Sequence, residues 1–190
     1  MTGRSPLAAR APWWLALVAA LCLGAAGADD FAISGGGTRL VDGAYLLDAQ
    51  VEYHFTDEVQ EALENGVPLW VETHVQVRRE GAWVWEADLV DFRLRSQIRY
   101  GPLSSTYQVV NKQSGARESF ATRAAALKAL GEVKGLSVVR ADQLKPSEKY
   151  VVEMRAALDI EALPLPLRPL AYLSPAWNLS SEWSTWPLRP

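Results

Sequence analysis

The side chains with the clearest capacity for chemistry are two histidines, His54 and His74, the arginines Arg93, Arg95 and Arg99, and the tail tryptophans Trp177, Trp183 and Trp186. Each histidine falls on the polar phase of an alternating run. If those two runs were neighbouring strands in register, the imidazoles would share a metal with Glu52 or Glu72. A metal site needs three or four ligands and the spacing offers two, so ordinary solvated histidines are the favoured reading. The arginines alternate with Phe92, Leu94 and Ile98, so they share one strand face with Asp91 and Gln97. Such a stripe suits an anionic ligand or an acidic partner. Cross-strand pairing with Glu72, Glu86 or Asp88 accounts for the same stripe without a ligand, and is favoured. The tail tryptophans would make a stacking or partner-binding platform, against the simpler reading that at least two of them are core.

Other motifs fall away on their context. Gly35-Gly36-Gly37 is followed by Thr38-Arg39-Leu40-Val41, with neither the Gly-Lys-Ser/Thr nor the helix start of a phosphate loop, and reads as part of a flexible leader. No Gly-x-Ser-x-Gly elbow is present, and neither Ser180 nor Ser181 has a histidine near in sequence. Asn178-Leu179-Ser180 matches a glycosylation acceptor, a pattern too short to carry weight alone. These residues identify no catalytic centre and no cofactor loop, and the chain reads as a non-enzyme.

The elements that must position these residues are mostly strands. Leu47, Ala49, Val51, Tyr53 and Phe55 alternate with Asp48, Gln50, Glu52 and His54, as in a half-buried strand. Thr56, with acids at 57 and 58 and Asn65-Gly66 at the far end, predicts a short capped helix. Leu69, Val71, Thr73, Val75 and Val77 make a second alternating run. A third runs from Trp83 to Tyr100 with a change of phase near Leu89-Val90 that a bulge would reconcile. Extended structure resumes over 106–111. The spacing of Ala125, Leu127, Leu130 and Val133 predicts a helix over 122–134 ending at Gly135, and Tyr150 to Leu158 alternates as a further strand. Leu163 to Pro169 reads as a polyproline-like segment. The aromatic stretch beyond it is expected to pack back on the domain and supply a closing edge strand.

The N-terminus sets the compartment. Arg4 and Arg10 precede an uncharged run from Trp13 to Leu23 that ends in Gly24-Ala25-Ala26-Gly27-Ala28, the layout of a secretory signal peptide cleaved near Ala28. An uncleaved anchor is disfavoured by Pro12, Gly24 and Gly27, and lipidation at Cys22 by Leu21 before it. Removing residues 1–28 from the 190 leaves 162, enough for one domain with its own core, and takes the only cysteine with it. It also leaves 17 basic against 22 acidic side chains, a balance that favours neither nucleic acid nor an anionic membrane as partner. The expected organisation is a signal peptide over 1–28, a leader over 29–40 and a single β-rich domain over 41–190. Its fold class is α+β, a mainly antiparallel β-sheet or sandwich with two short helices.

These residues resemble a family of exported proteobacterial proteins of unknown function, sometimes described as proline-rich signal peptide proteins. The resemblance rests on Asp42-Gly43 with Tyr45 and Leu47, the run from Ala62 to Leu69, Trp83 with Trp85, Arg99-Tyr100 and Tyr107, Ser119-Phe120, Ala126-Leu127 and Leu130-Gly131. Its most specific part is Leu163-Pro164 with the run from Ser174 to Trp183 and Trp186. This chain has Ala176 where relatives commonly carry Asp. The resemblance implies no assigned activity and no catalytic residues; genes of the family often lie beside an NtrY-type membrane sensor kinase, which implies a link to envelope sensing. The expectation is a periplasmic interaction module without a cofactor, its partner a membrane sensor kinase or other envelope protein. It would meet that partner through Trp177, Trp183, Trp186, Arg93, Arg95 and Arg99. The alternatives are a periplasmic carrier of a small apolar ligand or lipid and, behind it, an envelope hydrolase using His54 or His74.

Overall fold

The computed structural model describes residues 31–83 and 88–188. The signal peptide and residues 84–87, Trp85 among them, lie outside the described residues; of the strand expected from Trp83, the described part begins at Val90, at the expected change of phase. Among the described residues nine antiparallel strands form two sheets. The first contains β1 (Phe31–Val41), β2 (Ala44–Tyr53) and β7 (Glu132–Arg140), in the order β1-β2-β7. The second contains β3 (Leu69–Arg79), β4 (Val90–Gly101), β5 (Thr106–Asn111), β6 (Arg117–Phe120), β8 (Tyr150–Leu158) and β9 (Ser184–Pro187), in the order β6-β5-β4-β3-β8-β9. Three short helices lie among the described residues: α1 (Asp57–Glu64), α2 (Arg123–Leu130) and α3 (Arg168–Leu173). The mainly antiparallel α+β class is as the alternation implied, with one helix more than expected. No helix among the described residues is long and apolar enough to cross a membrane.

One core lies between the sheets because each central strand sends every second residue inward. Tyr45, Leu47, Ala49, Val51 and Tyr53 are buried from β2; Leu69, Val71, Thr73, Val75 and Val77 from β3; Tyr150, Val152, Met154, Ala156 and Leu158 from β8. Each fully buried Leu or Val contributes about 1.5–3 kcal/mol. Burial pushes the Tyr53 phenol far above its ordinary pKa, an effect that Thr73 of β3 partly offsets. At one edge Thr38 Oγ1 donates to the Pro187 carbonyl at 2.7 Å, tying β1 to β9.

Three expectations are corrected. From Phe31 the expected flexible leader is β1, joined to β2 by a two-residue hairpin turn. Its residues, Asp42 and Gly43, both take positive φ, as a right-handed strand twist requires. The glycines within β1 form a bulge between Ser34 and Gly37. At Gly36 a Cβ would lie 2.6 Å from the Asp48 carbonyl and 3.2 Å from the Trp186 ring. The helix expected over 122–134 stops at Leu130, and Glu132 begins β7. Gly131 turns the chain there because Val51 Nα–H donates to its carbonyl at 2.9 Å, and a Cβ would stand 1.9 Å from the Val51 carbonyl oxygen. The polyproline-like segment gives way to α3, with Pro169 in its first turn, where no intrahelical donor is needed.

The helix caps are as the sequence implied at Thr56 and also hold at Thr122. Val59 Nα–H donates to Thr56 Oγ1 at 3.4 Å and Ala125 Nα–H to Thr122 Oγ1 at 3.3 Å. Thr56 Oγ1 also donates to the Ala176 carbonyl at 2.9 Å, which fastens the C-terminal segment to the start of α1.

Substituting Gly131→Ala forces backbone apart at the α2–β7 junction and is expected to cost about 2–3 kcal/mol in chemical denaturation. Gly37→Ala is the control. Its Cβ meets nothing within 4 Å, and its cost is expected to stay below about 1 kcal/mol.

Candidate functional site

The same alternation that buries Val71, Thr73 and Val75 turns Trp70, Glu72, His74, Gln76 and Arg78 outward from β3. β3 is paired on both sides, so its outward residues become the middle of rows that cross three strands. Arg93, His74 and Arg155 form one row; Arg95, Glu72 and Ala157 the row on one side; Asp91, Gln76 and Glu153 the row on the other. Opposite charges pair within and between the rows. Glu72 accepts from Arg93 Nη1 at 3.1 Å and from Arg95 Nε at 3.0 Å. Arg95 Nη2 lies 3.2 Å from Asp159 Oδ2, an ion pair without hydrogen-bond alignment. His74 Nε2 donates to Asp91 Oδ1 at 2.6 Å, and Gln76 Nε2 to Asp91 Oδ2 at 3.3 Å. The His74 bond, helped by Gln76 and the positive charges of His74 and Arg93, holds the Asp91 carboxyl below its ordinary pKa.

The C-terminal segment walls this face. Trp177 and Leu179 are buried anchors, Ser180 bridges Ala157, and Ser181 Nα–H donates to the Ala156 carbonyl at 2.8 Å. The chain thereby runs alongside β8 and delivers Trp183 over β3, where its ring centroid sits 5.2 Å from that of His74 at a 60° tilt. Arg155 is fastened from the same segment: Nε donates to the Ser181 carbonyl at 3.0 Å and Nη2 to Ser180 Oγ at 2.9 Å. The result is a shallow pocket of about 200 Å³ bounded by Glu72, His74, Arg93, Arg155, Ser180 and Trp183.

The residues expected from sequence divide sharply. Arg93 and Trp183 line the pocket, and Arg95 stands one row away, bonded to the same Glu72. Arg99 lies beyond Ile98, the last β4 residue paired with β3, opposite Gln108 of β5, and does not reach the pocket. Trp177 is 7 % exposed and belongs to the core. Trp186 takes the phase of Val152 on β9 and packs partly buried against the core beside Gly36, so the three tryptophans form no common platform. Trp183 alone, 39 % exposed, meets the arginines. His54 follows β2 in the first sheet, beside Leu127 and Lys128 of α2, while His74 belongs to the second; the two imidazoles do not converge. Arg155 and Ser180 were not expected. The alternation of β8 did place Arg155 outward, but the pairing of β8 with β3, which gives it meaning, is not written locally.

The arrangement suits non-covalent recognition of a group bearing negative charge, with an aromatic wall on one side. His74 Nε2 is committed to Asp91, and the nearest hydroxyl in the pocket, Ser180, accepts from Arg155. Among the described residues no group of three His, Cys, Asp or Glu is placed to hold a metal.

Over residues 28–187 the chain matches the family described as a domain of unknown function, DUF4390, and it belongs to that family. Neither the curated proteins nor the solved structures contain a match to it.

A carboxyl with a lowered folded pKa contributes stability above its ordinary value, about 3.9 for Asp, and loses it as pH falls through the folded value. Thermal denaturation between pH 5 and pH 2 is therefore expected to show a steeper acid loss in the wild type than in Asp91→Asn. Equal slopes would mean that the His74–Asp91 bond does not persist in solution.

Proposed function

We propose that this member of the DUF4390 family is an exported, periplasmic, non-enzymatic interaction module whose partner is the extracytoplasmic region of a membrane sensor kinase or another envelope protein. The observation that carries the reading is the setting of Trp183: a part-exposed indole held over β3 beside Arg93, with Arg95 one row away, both paired with Glu72. An aromatic anchor ringed by charged groups is the composition of a binding hot spot, where the aromatic supplies area and the rim supplies orientation. The docking surface is accordingly Trp183 with Arg93 and Arg95; Arg99, Trp177 and Trp186 are no part of it. Export is supported by Arg4, Arg10, the uncharged run before Ala28 and the small residues ending it. The kinase link is supported by the resemblance alone.

A second reading, the small-ligand carrier, has one observation in its favour. A cleft of about 390 Å³ opens between β7 and the inner face of β4 and β5. Its lining mixes Leu94, Val133 and Leu136 with Thr73, Ser96 and Asn111. So many polar groups suit a small mixed-polarity ligand better than a lipid chain.

Two experiments separate the readings. In affinity purification from cross-linked envelopes, Trp183→Ala is expected to lower recovery of the enriched partner at least about tenfold. Its folding stability should fall by less than about 1 kcal/mol. If stability and recovery fall together, Trp183 is a core residue and the docking surface is wrong. Mass spectrometry of a solvent extract of the purified protein is expected to find no stoichiometric small molecule; a stoichiometric one would favour the carrier.

A further inference from the structure

We propose that the pocket between Trp183 and β3 is a binding site for a single carboxylate, held end-on by the Arg155 guanidinium, with Arg93 as the second cation and Trp183 as the wall for a flat ligand body. The row Arg93–His74–Arg155 sets basic side chains directly opposite one another on three adjacent strands, an arrangement that is destabilising unless each charge is met. Arg93 is met by Glu72, and His74 donates to Asp91. Arg155 has only neutral partners, the Ser181 carbonyl and Ser180 Oγ, and no carboxylate of the described residues lies within ion-pair distance of it.

Those two neutral bonds fix the direction of the guanidinium. Nε and one hydrogen of Nη2 are used, which leaves Nη1 and the second Nη2 hydrogen, the parallel pair that matches the two oxygens of a carboxylate. The side chain is thus oriented before any ligand arrives, and little further ordering is required on binding. Within the pocket Arg93 and Arg155 carry two positive charges against the one negative charge of Glu72, whose oxygens are already occupied by Arg93 and Arg95. One free planar fork and one uncompensated positive charge match the two oxygens and single charge of a carboxylate, whereas a phosphate dianion would leave a negative charge and a further oxygen unmet beside Glu72. The volume of about 200 Å³ admits a small body beside the indole. The site shares Trp183 and Arg93 with the docking surface proposed above and deepens that reading, but it is tested on the purified protein alone, so its failure and the failure of the docking surface are distinguishable.

The test is an NMR titration of the isotope-labelled protein with benzoate, a flat monocarboxylate, followed at the Trp183 indole N–H and the Arg155 Nε–H. Parallel titrations use acetate, the same head without the body, and inorganic phosphate. Benzoate is expected to give saturable shifts at both side chains, with acetate weaker and phosphate weaker still. Arg155→Gln should reduce benzoate affinity at least about tenfold. Arg155→Lys, which keeps the charge and the fold but loses the fork, should also bind more weakly, while Arg99→Gln should bind as wild type. Wild-type affinity in a folded Arg155→Gln or Arg155→Lys protein would overturn the assignment, and so would tighter binding of phosphate than of benzoate. The source of the natural carboxylate is read from the captured partner. Saturating benzoate releases that partner if the carboxylate is the partner's own, and leaves it bound if a free small molecule fills the pocket.

Discussion

The register of β3 between β4 and β8 is the constraint on which both faces of the larger sheet depend. β3 is paired along both edges, from Leu69 with Ile98 to Val77 with Val90 on one side, and from Val71 with Leu158 to Arg79 with Tyr150 on the other. Because side chains alternate with a period of two, a slip of one residue would bury Glu72, His74 and Gln76 and expose Val71 and Val75. Burying those unpaired polar groups would cost several kcal/mol apiece. The hydrophobic requirement therefore fixes the polar one. The rows in which Arg93, His74 and Arg155 meet follow from the need to keep Val71, Thr73, Val75 and Val77 inside.

The outer face then depends on a second chain segment far away in sequence. Trp177 and Leu179 reach the core, and the bonds of Ser181 to Ala156 continue the sheet's ladder where no regular strand exists. This irregular stretch turns a flat sheet face into a concave one. It brings Trp183 over His74 and clamps Arg155 from outside, so the pocket is shared between the sheet and the C-terminal segment. Thr56, which caps α1 and also bonds the Ala176 carbonyl, links the start of that segment to α1. Position and chemistry here come from different parts of the chain, and neither part makes the pocket alone.

Much of the fold was legible because local periodicity and core demand agree. The alternation in β2, β3 and β8 and the capped helix at Thr56 depend on residues adjacent in sequence. The misses have equally definite causes. Three glycines made 35–37 read as flexible, although they form a bulge where Asp48 and Trp186 come within contact of the chain. Asp42-Gly43 carries the local signal of a two-residue hairpin turn, which is the sequence feature that marks β1. Ala125, Leu127, Leu130 and Val133 keep a helical spacing across Gly131, so only the proximity of Val51, a long-range fact, reveals that the helix ends there. The candidate site was half legible: Arg93, Arg95 and Trp183 are apparent from type and phase. Arg155 required knowing which strand lies beside β3, and the tryptophans could not be sorted into core and surface without the path of the tail.

The central claim is that the C-terminal segment folds over the middle row of the sheet to form one pocket. An NMR measurement of proton contacts between the Trp183 indole and the His74 imidazole in the purified protein tests it most directly. With ring centroids 5.2 Å apart, cross-peaks between the two rings are predicted at neutral pH and should weaken when Ser181→Ala loosens the tail. A Trp183 indole with no cross-peak to His74 in the wild-type protein would contradict the account, because the arginines would then line an open sheet face with no aromatic wall.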